Sequence, residues 1–81
     1  MEQVVGEITH FYDKISVAVV RLEAELRVGD IVHIKGKVTD FENRVESMQM
    51  NHTNVSVAQK GDEVAIEMNK PAKEGDRVYK K

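Results

Sequence analysis

Residues 15–22, Ile15-Ser16-Val17-Ala18-Val19-Val20-Arg21-Leu22, are the stretch whose reading decides the fold. The run is short, rich in β-branched residues and bounded by polar residues at both ends, which are the marks of a β-strand. Two-residue alternation puts Ile15, Val17 and Val19 on one face and Ala18, Val20 and Leu22 on the other. Both faces are apolar, yet only one can point into the interior of a small barrel. The other must be covered by a loop, by a neighbouring side chain or by a second molecule, because contiguous exposed apolar surface is unusual on a soluble monomer. Ile15, Val17 and Val19 are therefore candidate contacts for a protein partner or a homodimer.

Working outward, Val4, Val5 and Ile8 flank Gly6, and the run continues through Thr9 and Phe11, which predicts a first strand with a bulge or close approach at the glycine. Asp13-Lys14 turns the chain into the decisive stretch. After it, Glu23-Ala24-Glu25-Leu26-Arg27 is too short for a stable helix and reads as a connecting loop. Ile31-Val32-His33-Ile34 gives a third strand, ended by the Lys35-Gly36-Lys37 turn signal, and residues 40–50 read as one long fourth strand. Residues 52–60 read as a polar loop anchored by Val55 and Val57. Val64-Ala65-Ile66 and Arg77-Val78-Tyr79 supply the fifth and sixth strands. The expected architecture is all-β: one domain over residues 1–81, a single six-stranded antiparallel β-barrel. The pairs Gly29-Asp30, Gly61-Asp62 and Gly75-Asp76 each precede a β-branched run and read as turns, with glycine supplying a positive φ and aspartate capping.

Three segments carry a family resemblance. Leu26-Arg27-Val28-Gly29-Asp30-Ile31-Val32-His33-Ile34 comes first, then Val45-Glu46-Ser47-Met48-Gln49-Met50-Asn51-His52, then Gly61-Asp62-Glu63-Val64. In that order they resemble the second domain, a β-barrel, of translation elongation factors of the Tu and one-alpha kind, over residues 6–79. Closely similar barrels occur at the C-terminus of collagenase-type peptidases, without catalytic residues of their own. The resemblance implies a free-standing docking barrel linked to translation or RNA handling. Gln49 falls where those factors typically carry Glu, and His52 where Tu-type factors carry Arg, in a neighbourhood that helps hold the 3′ end of aminoacyl-tRNA. Gln49 keeps hydrogen-bonding ability without the carboxylate, and His52 offers an imidazole in place of a guanidinium, so that pocket is not preserved intact.

Composition bounds the remaining function classes. The 81 residues suffice for one small core, with a net stability of roughly 3–5 kcal/mol. A hydrophobic fraction of 41% beside 32% charged residues is ordinary for a folded soluble protein. The chain has no cysteine, which excludes disulfides, thiol nucleophiles and Cys-ligated zinc and fits a reducing, cytoplasmic setting. Charges among the first twenty residues break any signal-peptide core or membrane span. No Gly-x-x-x-x-Gly-Lys-Ser/Thr loop is present, so the chain is expected to have no nucleotide-binding domain of its own.

His10, His33 and His52 lack metal-ligand spacing and the first two read as strand-surface residues, so neither a metal nor another cofactor is expected. No nucleophile elbow or paired-carboxylate pattern points to catalysis, and the chain is expected not to be an enzyme. A net charge of −2 gives no global attraction to nucleic acid, and an RNA site would need a local basic patch. Lys35, Lys37 and Lys60, with Gln49 and His52, are the candidates for contact with a structured RNA or an RNA-bound protein. Two expectations result: a non-catalytic module that binds RNA or a ribonucleoprotein, or a protein-docking or homodimerisation barrel with no RNA role.

Overall fold

The computed structural model describes residues 2–81, folded into ten strands without a helix. They are β1 (Gln3–Tyr12), β2 (Val17–Leu22), β3 (Leu26–Arg27), β4 (Ile31–Lys35), β5 (Asp40–Arg44), β6 (Met48–Met50), β7 (Thr53–Val55), β8 (Val57–Ala58), β9 (Glu63–Glu67) and β10 (Arg77–Lys80). Alternation along β2 sets the inside and the outside. Ala18, Val20 and Leu22 are buried, whereas Val17 and Val19 are half-buried on the outer surface. The same period holds in β4 and β9, whose Val32, Ile34, Val64 and Ile66 complete the interior.

The sheet is antiparallel throughout, with eight strands in the order β5-β4-β10-β1-β2-β9-β6-β7, and β3 pairs with β8 in a separate ribbon. This half-barrel replaces the expected closed ring of six strands. The predicted long fourth strand is broken at Val45-Glu46-Ser47. Val45 turns its side chain fully into the core, and its backbone leaves the ladder: Gly29 N–H donates to its carbonyl at 2.7 Å, and its own N–H donates to the Asp30 carbonyl at 2.9 Å. As a result β5 pairs with β4 at one edge, and β6 pairs with β9 on the far side of the sheet. Side chains bridge part of the seam. The buried Asn43 amide donates to the Glu67 carbonyl at 3.0 Å and accepts from the Asn69 N–H at 2.8 Å.

The predicted loop over residues 52–60 is also ordered as strands. Asn51 and His52 adopt φ of 52° and 62°, the pair of positive angles that a primed hairpin turn requires, and this closes β6 onto β7. Val55 packs against the core as expected, but Val57 points outward on β8 and anchors nothing. Leu26, placed in a loop by its neighbours, is fully buried in β3. Ile15 and Ser16 belong to the turn before β2 rather than to the strand, with Ser16 at φ 56°.

Two glycine readings hold. A Cβ on Gly6 would lie 2.6 Å from Val20 Cγ1 and 2.7 Å from the Arg21 carbonyl oxygen, at a shift in register between β1 and β10, so only glycine lets β1 approach β2 there. The three Gly-Asp pairs form the same turn three times. Asp30, Asp62 and Asp76 each accept a 2.9 Å hydrogen bond from the backbone N–H three residues earlier, and the preceding glycines take φ of 101°, 93° and 91°. Met48 and Met68 are buried and Met50 half-buried, which makes these three methionines core filling.

Candidate functional site

Register brings together, on the outer face of β2, β9 and β6, residues that lie far apart in sequence. Val19 pairs with Ala65, Ala65 with Gln49, and Gln49 with Asn54, so the four form one outward row across β2, β9, β6 and β7. The neighbouring row holds Tyr12, Val17 and Glu67. Ile15, 63% exposed, stands where β2 begins. A shallow groove of about 300 Å³ is lined by Ile15, Val17, Ser47, Gln49, Ala65 and Glu67. The apolar candidates Ile15 and Val17 and the polar candidate Gln49 thus share one surface.

Gln49 donates to Asn54 Oδ1 at 3.1 Å, which holds its amide beside the groove while its own oxygen stays available. His52 sits at the exposed tip of the β6–β7 hairpin. Because Met48 pairs with Ile66 and Gln49 with Ala65, the hairpin runs toward the beginning of β9, the end of the sheet where the Gly61-Asp62 turn carries Lys60. His52 and Lys60 therefore lie toward the same end. Lys35 does not join them. It is on β4, its Nζ 3.8 Å from Glu2 and 5.8 Å from the centre of the Tyr79 ring. Lys37 is in the exposed turn after β4. The five basic and polar candidates consequently form no single patch.

A belt of charge borders the row of Val19, Ala65, Gln49 and Asn54. Lys35, Arg77, Glu7, Arg21 and Glu63 follow one another in register across β4, β10, β1, β2 and β9, and Arg21 lies 3.6 Å from Glu7. Alternating signs along part of such a row suit cross-strand neighbours, and the exposed pairs contribute little to stability.

His33 and His10 act as side-chain partners on the surface. His33 is clamped between two carboxylates: Nδ1 lies 2.7 Å from Glu2, and Nε2 is hydrogen-bonded to Asp40. Asp40 and then Glu2 raise the His33 pKa, and the same contact lowers that of Asp40. His10 Nδ1 lies 3.1 Å from Glu74, and its ring tilts over Tyr12 at 4.3 Å. The Glu42–Lys81 pair shifts likewise, the carboxyl down and the ammonium up through their hydrogen bond. Sequence reasoning missed Ala65 and Asn54, whose place in the site depends on cross-strand register.

No family model matches the chain. Over 76 residues it is 45% identical to the uncharacterized protease MJ0090 of Methanocaldococcus jannaschii, an overlap of 93% of this chain and 19% of that protein. The chain thus spans about a fifth of the length of the curated relative it matches. Two crystal structures of the C-terminal domain of a candidate U32 peptidase from Geobacillus thermoleovorans have the same fold. One gives a TM-score of 0.91 at 17% identity, covering 98% of this chain and 92% of that domain. The selenomethionine variant gives 0.89 at 16% identity, covering 94% and 96%. These matches fit the collagenase-type part of the expected resemblance and lend no support to the elongation-factor part. Among the described residues no helix is long and apolar enough to cross a membrane.

Proposed function

We propose that this chain is a non-catalytic binding module of the kind found at the C-terminus of U32-type peptidases, and that it docks a protein partner or a second copy of itself. The observation that carries this reading is the largely apolar surface formed by Val17, Val19, Ala65 and Gln49, with Ile15 at its edge and Glu67 as its one carboxylate. Its apolar floor, two amides and single carboxylate suit binding rather than proton transfer. The overlap with only 19% of the curated protease supports a module working beside a larger catalytic unit. The lack of cysteine supports work in a reducing compartment such as the cytoplasm.

A second reading, contact with a structured RNA or a ribonucleoprotein, draws on a separate observation. Gln49 and His52 project from the β6–β7 hairpin toward the end of the sheet that carries Lys60. The two readings part on salt: a site built on lysine weakens steeply as salt rises, whereas apolar docking persists. Capture on the tagged chain, with and without ribonuclease and at two salt concentrations, tests them. A ribonuclease-resistant, salt-tolerant partner or self-association supports docking. Ribonuclease-sensitive recovery that is lost on changing Gln49 and His52 to alanine would replace it with the RNA reading.

A further inference from the structure

At the centre of the docking face β2 and β9 run side by side, and register decides which outward side chains stand next to one another. Three rows cross this pair of strands: Arg21 with Glu63, Val19 with Ala65, and Val17 with Glu67. Every row joins unlike members. The first is a cation and an anion, the second a large apolar side chain and a small one, the third an apolar side chain and a carboxylate. Arg21 is exposed and lies 3.6 Å from Glu7, whereas Glu63 and Glu67 form no ion pair among the described residues.

The turn that leads into β2 adds a projecting pair at the Val17 end of the rows. Lys14 is exposed and also lacks an ion pair among the described residues, and Ile15 is 63% exposed. From that end the groove of about 300 Å³ extends across β9 to β6, with Glu67 and Gln49 in its lining. Arg21 and Lys14 against Glu63 and Glu67 are two bases and two acids, which favour a charged ligand of neither sign. A surface whose rows pair unlike groups is complementary to itself. A two-fold axis along the gap between β2 and β9 lays each member of a row over its neighbour's counterpart in the other copy.

We propose that two copies of this chain pack these faces together about that axis. Arg21 of each copy meets Glu63 of the other, and Val19 seats on Ala65. The turn carries Ile15 into the other copy's groove and Lys14 beside its Glu67. Sheets stacked face to face lie about 10 Å apart with interdigitated side chains, which a large residue set over a small one allows. The inference rests on the docking reading of this face and names its occupant.

The test is sedimentation equilibrium of the 81-residue chain and of its Arg21→Glu and Glu63→Arg variants, alone, mixed and combined in one chain. The wild type should be a dimer that dissociates on dilution. Either reversal sets like charges together twice across the axis and should weaken the dimer by about 5-fold or more. Amide dispersion should be kept, because both side chains are exposed. An equimolar mixture of the two variants should regain association: each meets its opposite in the other chain, while the like charges within each chain remain. The double variant should regain it too. A dimer indifferent to both reversals, or a mixture no tighter than its components, would overturn the proposal. A wild type that is monomeric at every concentration would overturn it as well. In that case a captured protein partner that Val19→Asp releases would leave the docking reading standing, and no capture dependent on Val19 would remove both.

Discussion

Replacing Val19 and Val20 by aspartate, one at a time, should give opposite results from adjacent positions. Val20 is fully buried, in register with Ile8 on β1 and Val64 on β9. The substitution forfeits about 1.5–3 kcal/mol of side-chain burial. It also leaves a carboxylate among aliphatic groups without a partner, which adds several kcal/mol whether the group stays charged or takes up a proton. That sum exceeds the roughly 3–5 kcal/mol available to a core of this size, so Val20→Asp should be unfolded at room temperature. Val19 faces outward, in register with Ala65 and His10, and an aspartate there keeps its water. Its cost is the loss of β-propensity, about 1 kcal/mol or less. Circular dichroism and amide dispersion report the fold, and sedimentation velocity with partner capture reports association. Val19→Asp should fold and lose association. Two unfolded variants would mean that β2 is packed on both faces within the monomer. A folded Val19→Asp that associates unchanged would mean that the face is not used.

Three other outcomes follow from the packing and the charges. Gly6→Ala should lower stability by about 1–3 kcal/mol, read as a shift of the urea midpoint, because its Cβ meets Val20 and the Arg21 carbonyl; an unchanged midpoint would show that β1 can retreat. Asn43→Leu should cost about 1–3 kcal/mol by leaving the Asn69 N–H and the Glu67 carbonyl without their partner, and should speed exchange of the Asn69 amide selectively. The raised His33 pKa contributes stability that is fully present below the ordinary value of 6.5 and is lost as pH rises through the folded-state value. The lowered Asp40 pKa contributes stability present above 3.8 and lost as pH falls through its folded value. The melting temperature should therefore decline on the alkaline side of 6.5, by a small amount because Asp40 is mostly exposed, and His33→Asn should flatten that decline. A wild-type midpoint that stays level across that range would discard the clamp as a stabilising contact.

Much of the fold is legible in local pattern. Of the alternating run read over residues 15–22 the part from Val17 onward stands, and the strands read at residues 31–34 and 64–66, the close approach at Gly6 and the three Gly-Asp turns, which follow from side-chain chemistry and backbone sterics, stand as well. The errors fall where local pattern is silent. Residues 40–50 carry unbroken strand-like chemistry, and the break at Val45 is imposed by its hydrogen bonds to Gly29 and Asp30, more than a dozen residues away in the chain. The Asn51-His52 turn lacks the glycine that usually signals a primed hairpin, so β7 read as loop. Lys35 looked available beside Lys37, but its placement between Glu2 and Tyr79 depends on contacts with both ends of the chain.

By itself the sequence determined that the chain is all-β, where glycine is obligatory, and that its second strand has an apolar face in excess of one core. Period and turn chemistry are properties of neighbouring residues, and they survive any arrangement of the strands. Only the tertiary structure decided that the sheet opens into a half-barrel, and that Val19, Ala65 and Gln49 stand side by side while Lys35 stands apart. Strand order and register are fixed by which distant groups satisfy one another's hydrogen bonds and apolar surface, and that information resides in pairs of residues rather than in any one stretch of the chain.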